Sequence, residues 1–293
     1  MKIMIAPSYE AAAGAKPDAT VEAEYGGCVV EGRLYTLAHH SGKYKSCPAP
    51  CEFPNQHGFS GDTLISHIDL DTVGGCLALY GVKPADEDFW KAAGFIDVKG
   101  PHHANELPAG LRVKLQAYWA YSDSLGREKY VSLSDVTEKI MEQGEAIGKI
   151  IGGDPCLLQR GELWARASED RVEANLVGEN ECARFFITSD VFCNASYYSP
   201  KQRRIIPAVV SWNKKYGSVT ISFADGGKEH SAANMARELW GDLAGGHRGI
   251  AGSPRCWGLP EPQMEIEFRR AIEAVSSLHA NARPNASGSS EWL

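Results

Sequence analysis

The stretch Ala244-Gly245-Gly246-His247-Arg248-Gly249-Ile250-Ala251-Gly252 lies near the carboxyl terminus of the chain. Its two adjacent glycines carry no Cβ, so the backbone can approach a ligand closely. His247 and Arg248 add a titratable donor and a permanently cationic donor beside that backbone. The combination favours an anionic ligand such as a phosphate, and we expect Gly245, Gly246, His247 and Arg248 to bind substrate. The alternative is a plain glycine-rich turn after a helix.

The residues before this stretch have the periodicity of two strands and a helix. Strands are predicted over 208–212 and 218–223 with a turn at 213–217, and Ser231 is suited to cap a helix over 232–243. This order of elements, followed by Gly-Gly-His and Ala-Gly, resembles the C-terminal substrate-binding domain of the DHH phosphoesterase superfamily. The resemblance covers residues 206–259, and Ile250 stands at the first alanine of the family's Ala-Ala-Gly.

A second segment of interest follows a predicted strand in the amino-terminal half. Residues 63–66 lead into His67-Ile68-Asp69-Leu70-Asp71. In an extended backbone alternate residues point the same way, so His67, Asp69 and Asp71 would converge if the strand continued. Mn²⁺ and Mg²⁺ accept carboxylate and imidazole ligands. The segment resembles the family's first motif, His-x-Asp-x-Asp-Gly, and the alternative is a solvated strand end whose acidic residues cap the next helix.

Two histidine pairs flank the acidic segment, and both depart from the family's Asp-His-His motif. Ala38 precedes His39-His40, and Pro101 precedes His102-His103. The first pair also lies before the acidic segment, whereas the family places it after. The order of the motifs is rearranged, or the metal site is altered, or one pair is purely structural.

If the order is rearranged, the resemblance implies the following ligands. His39, chosen over His40, replaces the usual histidine ligand, and Asp97 supplies a further carboxylate after a short apolar run. His67, Asp69, Asp71, Asp97 and His39 would hold one or two divalent ions, Mn²⁺ being the expected metal. His102 and His103 would face a cleft and carry protons.

Length and composition set the broad class. A chain of 293 residues is long for one hydrophobic core, which favours two domains. The net charge of −7, without a long basic run, argues against binding to duplex nucleic acid. No apolar run is long enough to span a bilayer, and residues 1–7 lack the apolar core of a secretion signal, so we expect a cytoplasmic protein. The oligomeric state stays open, with a homo-oligomer among the alternatives.

The expected fold is α/β with two domains joined by a helix. Residues 1–131 would form the metal-binding domain, 132–153 the connecting helix, and 154–293 the smaller substrate-binding domain. Within 132–153 we predict a helix over 134–151, with Asp135 and Glu138 spaced as a capping box and glycines after its end. Strands are also predicted over 163–166 and 183–188, a terminal helix over 262–280, and a mobile tail from Asn281.

Three functions compete at this point. The resemblance implies a metal-dependent phosphoesterase that activates water and acts on a small anionic substrate, such as a nucleotide or a short oligonucleotide. Because neither histidine pair follows an aspartate, a hydrolase of a non-phosphate molecule, with an amide, an amidine or an activated ring carbon as its electrophile, is the second hypothesis. A non-catalytic ligand-binding protein of the same fold is the third, and the presence of His67, Asp69 and Asp71 argues against it.

Overall fold

The computed structural model describes residues 2–12, 14–126, 128–254 and 257–280. The chain divides into two units, the first ending at Arg166 and the second beginning at Ala167. Strands and helices occur together in each unit, which confirms the mixed α/β class. The division falls inside a helix rather than at residues 131 or 153, and the separate roles assigned to the two predicted domains stay a prediction.

The first unit is built on a five-stranded sheet. The strands of this unit, inside and outside that sheet, are β1 (Ile3–Ile5), β2 (Ala19–Val21), β3 (Glu24–Tyr25), β4 (Cys28–Val29), β5 (Tyr35–Leu37), β6 (Thr63–Ile65) and β7 (Ser134–Asp135). Its helices are α1 (Tyr9–Ala12), α2 (Leu70–Leu79), α3 (Glu87–Lys99), α4 (Ala109–Ser124), α5 (Thr137–Ile151) and α6 (Pro155–Glu173), the last of which continues into the second unit.

The order of strands in this sheet is β5-β2-β6-β1-β7. The first four are parallel, and β7 runs antiparallel to β1, while β3 and β4 form a separate ribbon. Ile3, Val21 and Ile65 are fully buried, as expected for short apolar strands in a parallel sheet covered by helices. Because parallel strands end at one edge, the residues that follow β2, β5 and β6 are brought together there.

Helix α2 begins where the sequence suggested that β6 might continue. The side chain of Asp69 accepts a hydrogen bond from the backbone N–H of Thr72 at 2.9 Å, and so caps the helix. Two consecutive glycines, Gly74 and Gly75, let α2 pack closely, since a Cβ on Gly75 would lie 2.7 Å from Val21. The expected continuation of the strand through Asp71 is therefore wrong, because the cap at Asp69 starts a helix instead.

Other predicted elements change type in the structure. Asp97 lies in helix α3, not at the end of a strand, and residues 163–166 lie inside α6. The predicted helix at 134–151 starts at Thr137, because Ser134 and Asp135 pair with β1. Its residues Ile140, Ile147 and Ile150 belong to the core of the first unit, so α5 is part of that unit rather than a separate connector.

The second unit contains a six-stranded sheet in the order β14-β15-β13-β12-β9-β8. The strands of this unit are β8 (Leu176–Glu179), β9 (Ala183–Thr188), β10 (Tyr198–Ser199), β11 (Arg204–Ile205), β12 (Ala208–Asn213), β13 (Ser218–Phe223), β14 (Gly245–Gly246) and β15 (Ile250–Gly252), of which β10 and β11 form a separate ribbon. Its helices are α7 (Ala232–Trp240) and α8 (Glu261–Ala280). The predicted strands at 183–188, 208–212 and 218–223 and the terminal helix are confirmed. The tail from Asn281 lies outside the described residues.

Helix α7 has the predicted cap and a shorter length. The Ser231 hydroxyl accepts a hydrogen bond from the N–H of Asn234 at 3.3 Å. The helix ends at Trp240 rather than at Leu243, because Gly241 adopts a φ of 81°, which terminates helices readily. Apolar residues of α7 and α8, among them Ala236, Met264 and Phe268, pack on the sheet to form the second core. Among the described residues, no helix is both long and apolar enough to cross a bilayer.

Candidate metal centre

The carboxyl ends of the parallel strands hold a buried cluster of acidic and histidine side chains. Glu22 follows β2 and His39 and His40 follow β5, while Asp71 comes from the first turn of α2 and Asp97 from α3. All five belong to the first unit. Glu22, His39 and Asp71 are almost fully buried, and Asp97 is partly exposed.

Nε2 of His39 is the centre of this cluster. It lies 2.9 Å from Oδ2 of Asp97, 3.5 Å from Oδ2 of Asp71 and 3.6 Å from Oε1 of Glu22. Each of these four atoms is buried and lacks a well-oriented hydrogen bond within the described part of the chain. Buried polar atoms without such bonds are rare in native proteins and indicate a missing partner.

His40 extends the cluster on one side. Its Nε2 lies 3.1 Å from Oε2 of Glu22 and 3.6 Å from Oδ2 of Asp97. Glu24 holds the main chain of the histidine pair, because its Oε2 accepts from the N–H of His39 at 3.3 Å and from that of His40 at 3.2 Å. The main chain of both histidines is therefore fixed at the strand end, while the side chain of His40 stays half exposed.

These spacings fit a divalent cation. Two adjacent ligand atoms about 2.1 Å from an ion are about 3 Å apart, which matches the shortest distances in the cluster. Two sets of donors, Glu22-His39-His40 and His39-Asp71-Asp97, have all their ligand atoms within 4.8 Å of one another. Carboxylate oxygens with imidazole nitrogens suit Mn²⁺ and similar ions. Both sets use His39, whose Nε2 has one lone pair and can bind one ion at a time, so the two sets are alternative groupings of donors around a single ion.

The pKa values of the cluster also favour a bound cation. Burial and the nearby charge of Asp71 raise the pKa of Glu22 to about 8. Burial alone would lower the pKa of His39, but the carboxyl groups of Asp71, Asp97 and Glu22 outweigh it and raise that pKa to about 10. The His39 imidazole thus holds a proton between carboxylates when no metal is present, and a divalent ion would take the place of that proton.

Asp71 is fixed by a second interaction. Its Oδ1 accepts a hydrogen bond from the backbone N–H of buried Cys51 at 2.8 Å, which leaves Oδ2 facing His39. Its position in the first turn of α2 also favours a negative charge there. The backbone of the short 3₁₀ turn Pro50–Glu52 therefore orients one of the carboxylates of the cluster.

The pair His67 and Asp69 lies beside the cluster and outside both donor sets. His67 Nε2 is 3.0 Å from Asp69 Oδ2, and its Nδ1 is 2.9 Å from the Ser66 hydroxyl, which donates its own proton to the carbonyl of Glu22. With the Ser66 proton directed at that carbonyl, both ring nitrogens of His67 face acceptors, an arrangement that favours the protonated imidazole. The hydrogen bond to Asp69 accordingly raises the pKa of His67.

The predicted proton carriers His102 and His103 lie on a 3₁₀ turn, Pro101–Glu106. His103 Nδ1 is 2.7 Å from Oε1 of Glu106, and the His102 ring packs over Gly100. Neither histidine belongs to the donor sets found in the described part of the chain. Their role as proton carriers stays a prediction.

The glycine-rich stretch of the second unit forms a hairpin. Strands β14 and β15 pair, and the N–H of His247 donates to the carbonyl of Ile250 at 2.7 Å. His247 is exposed, whereas the Arg248 guanidinium donates to the backbone carbonyls of Gly227 and Lys228. Part of the donor capacity of Arg248 therefore stabilises the turn that precedes α7.

Of the five predicted ligands, the structure thus brings together His39, Asp71 and Asp97, with His67 and Asp69 alongside. Sequence reasoning missed Glu22 and underrated His40. Glu22 has a positive φ of 49°, and among the other described non-glycine residues only Arg203 also has a positive φ. The one signal in the sequence was the place of Glu22 directly after Thr20 and Val21, a β-branched pair typical of a strand.

Comparisons with known proteins give distant likenesses only. No protein-family profile matches the sequence, and no curated protein matches it either. Among solved structures, PggH, a pGpG-specific phosphodiesterase from Vibrio cholerae, is 10% identical, with 84% of this chain and 81% of that chain covered and a TM-score of 0.46. An uncharacterized protein from Helicobacter pylori G27 is 13% identical over 65% of this chain and 54% of that chain, with a TM-score of 0.25.

Proposed function

We propose that the protein is a metal-dependent hydrolase that cleaves phosphoester bonds in a small nucleotide or a short oligonucleotide. The observation that carries the proposal is the convergence of three carboxylate oxygens on Nε2 of His39. Such a buried set, with a shortage of hydrogen bonds, is suited to a divalent cation. The resemblance of residues 65–75 and 206–259 to the DHH phosphoesterases supports phosphate as the reacting group.

The chain's own residues would then divide the work. Glu22, His39, Asp71 and Asp97 would hold the ion, with His40 as a further donor. A bound divalent ion lowers the pKa of a coordinated water and offsets the negative charge that develops on a phosphoryl oxygen. His67, whose pKa Asp69 raises and whose side chain is half exposed, would give a proton to the leaving oxygen.

The binding of metal is tested by substitutions that keep the shape of the cluster. Asp71→Asn preserves an oxygen for the Cys51 N–H but removes the charge next to His39. We expect Asp71→Asn and Asp97→Asn to lower bound Mn²⁺, measured by mass spectrometry after chelator treatment and reloading. His103→Gln is the matched control, because its ring pairs with Glu106 instead. Full metal content in both aspartate variants would remove these residues from the centre.

The chemistry is tested on three substrates with the reloaded protein. Bis(p-nitrophenyl) phosphate and a linear dinucleotide report phosphoester cleavage, and p-nitrophenyl acetate reports attack on a carbonyl. We expect Mn²⁺-dependent turnover of the two phosphodiesters. Turnover of the acetate alone would favour the hydrolase of a non-phosphate molecule, and metal binding without turnover of any substrate would favour a ligand-binding protein.

A further inference from the structure

A cavity of about 1030 Å³ lies in the first unit, close to the metal centre. It is large enough for a drug-sized ligand, since such sites measure roughly 300–1,000 Å³. Its walls come from the end of β1, from α4, α5 and α6, and from residues 66–68. Three aromatic side chains, Trp119, Tyr130 and Trp164, line it.

Two of these aromatic rings are held by polar contacts at their edges. The indole N–H of Trp164 donates to Oδ2 of Asp123 at 3.0 Å. The hydroxyl of Tyr130 donates to Oε2 of Glu128 at 2.8 Å, and Nζ of Lys139 lies 5.7 Å from its ring centre. Rings fixed in this way offer flat faces for stacking. Because these side chains are already ordered, they lose little conformational entropy when a ligand binds.

Gln143 adds one buried polar group to the wall. Its side chain is 1% exposed, and its Oε1 accepts from the hydroxyl of Tyr118 at 2.7 Å. That bond sets the orientation of the amide and leaves the Nε2 hydrogens as donors. A buried donor that lines a cavity is a specific site for an acceptor on a ligand.

The cavity adjoins a smaller one of about 240 Å³ that contains the carboxylates. Asp69, Asp71 and Asp97 line the small cavity, and Trp119 and Pro101 line both. His67 lines the large cavity and bonds to Asp69 of the small one. The two cavities are therefore neighbours, and a molecule that extends past Trp119 and Pro101 would have one end at the carboxylates and the other among the aromatic rings.

The charge of the large cavity indicates which end goes there. Apart from the His67 imidazole, which already pairs with Asp69, Lys139 is the cationic side chain that the described residues contribute to the wall, and it pairs with Glu128 at 3.1 Å. Asp123 and Glu128 supply negative charge. This surface disfavours a phosphate and suits a neutral, flat group with hydrogen-bond acceptors.

We propose that the large cavity binds a nucleobase of the substrate, stacked against Trp119 and Trp164 and hydrogen-bonded by Nε2 of Gln143. This inference rests on the proposed function, because it places the scissile phosphate at the metal centre and the base beside it. It assigns the substrate class as a nucleotide with an unpaired base, and it assigns Gln143 to the recognition of a base carbonyl or ring nitrogen.

The test uses nucleosides, which carry no phosphate. Adenosine, guanosine, cytidine and uridine are titrated into the full-length protein, and binding is measured by calorimetry and by quenching of tryptophan fluorescence. Trp164→Leu should weaken binding about tenfold or more, since stacking on an aromatic residue contributes that much per base. Gln143→Leu should weaken the preferred nucleoside about 3- to 10-fold and reduce the preference among bases.

Controls separate this inference from a folding defect and from the proposed function. Tyr216→Leu removes an exposed aromatic ring of the second unit and should leave binding unchanged. Thermal unfolding of each variant checks the fold, and Trp164, which is partly exposed, tests the cavity if Gln143→Leu fails to fold.

The two proposals fail in different ways. Absence of saturable nucleoside binding, an unchanged dissociation constant in Trp164→Leu, or equal binding of octanoate would overturn the nucleobase site even if phosphodiesters are cleaved. Nucleoside binding that responds to Trp164→Leu would support the site even if the wild-type protein cleaves no phosphodiester, in which case only the proposed hydrolase would fail.

Discussion

Replacing Glu22 by glutamine should stabilise the metal-free protein. The pKa of Glu22 is raised from 4.5 to about 8 on folding, so at pH 7 the folded chain holds a proton on this carboxyl that the unfolded chain has released. Taking up that proton at pH 7 costs about 3 kcal/mol, because each pH unit above 4.5 adds about 1.4 kcal/mol. Glutamine has the same shape and is neutral, so the cost disappears.

Part of this gain is offset by the loss of a partner. His39 keeps Asp71 and Asp97 but loses Oε1 of the Glu22 carboxyl group at 3.6 Å, and His40 loses Oε2 of that group at 3.1 Å. We therefore expect a net stabilisation of about 1–3 kcal/mol at pH 7, measured by urea unfolding after chelator treatment. The gain should shrink toward zero near pH 5, where the unfolded carboxyl also begins to bind a proton.

With metal present the stability advantage of Glu22→Gln over the wild type should shrink. A saturating ion at 100 times its dissociation constant stabilises the wild type by about 2.7 kcal/mol, and Glu22→Gln should gain less because it lacks one donor. Glu145→Gln, an exposed position on α5, is the matched control and should change neither curve. A metal-free Glu22→Gln protein that is less stable than the wild type, or whose gain does not depend on pH, would refute the reasoning.

Three further predictions concern stability. The metal-free wild type should lose stability between pH 6.5 and about 10, because folded His39 keeps a proton that unfolded His39 releases, and because protonating Glu22 on folding costs more free energy as the pH rises from 4.5 to 8. Urea unfolding at pH 6 and pH 9 measures this loss, which saturating Mn²⁺ should reduce. Gly161→Ala should destabilise the protein by about 1–3 kcal/mol, since its Cβ would lie 2.4 Å from the backbone nitrogen of Ala117. Gly148→Ala, whose Cβ would lie 3.7 Å from Pro84, should instead stabilise it by about 0.5–1 kcal/mol, and equal effects of the two substitutions would contradict the packing argument. Arg184→Leu should destabilise by about 3–5 kcal/mol, because this fully buried guanidinium pairs with Glu173 and Glu179, and a loss below 1 kcal/mol in thermal or urea unfolding would show that the pairs are dispensable.

The sequence identified elements whose periodicity is long and regular. The strands predicted at 208–212 and 218–223 and the helices predicted at 134–151 and 232–243 followed from apolar spacing and from cap residues such as Ser231, and the structure moves their ends by at most three residues. Short apolar runs were ambiguous, and Phe95-Ile96-Asp97 fits a strand end as well as a helix. The structure makes it helical, because Asp86 caps a helix that runs through Gly94 to Lys99.

Proximity within the site was harder to predict than the identity of its residues. His39, Asp71 and Asp97 were selected because imidazole and carboxylate groups follow apolar runs, and the parallel strand order brings these segments together. Glu22 could not be ranked above other acidic residues, because its burial depends on the helices that cover the sheet. The grouping of His67, Asp69 and Asp71 on one extended face was wrong because it required a strand that the Asp69 cap ends.

The parallel order of the first sheet has a kinetic consequence. The donors Glu22, His39, Asp71 and Asp97 come from separate segments, so the centre is assembled only when contacts distant along the chain have formed. Such contacts arise late in folding, since each requires closure of a long loop. A metal ion that binds this assembled set would leave the refolding rate nearly unchanged and would act mainly by slowing unfolding. The lifetime of the folded state would then follow the supply of metal, even where the yield of folding does not.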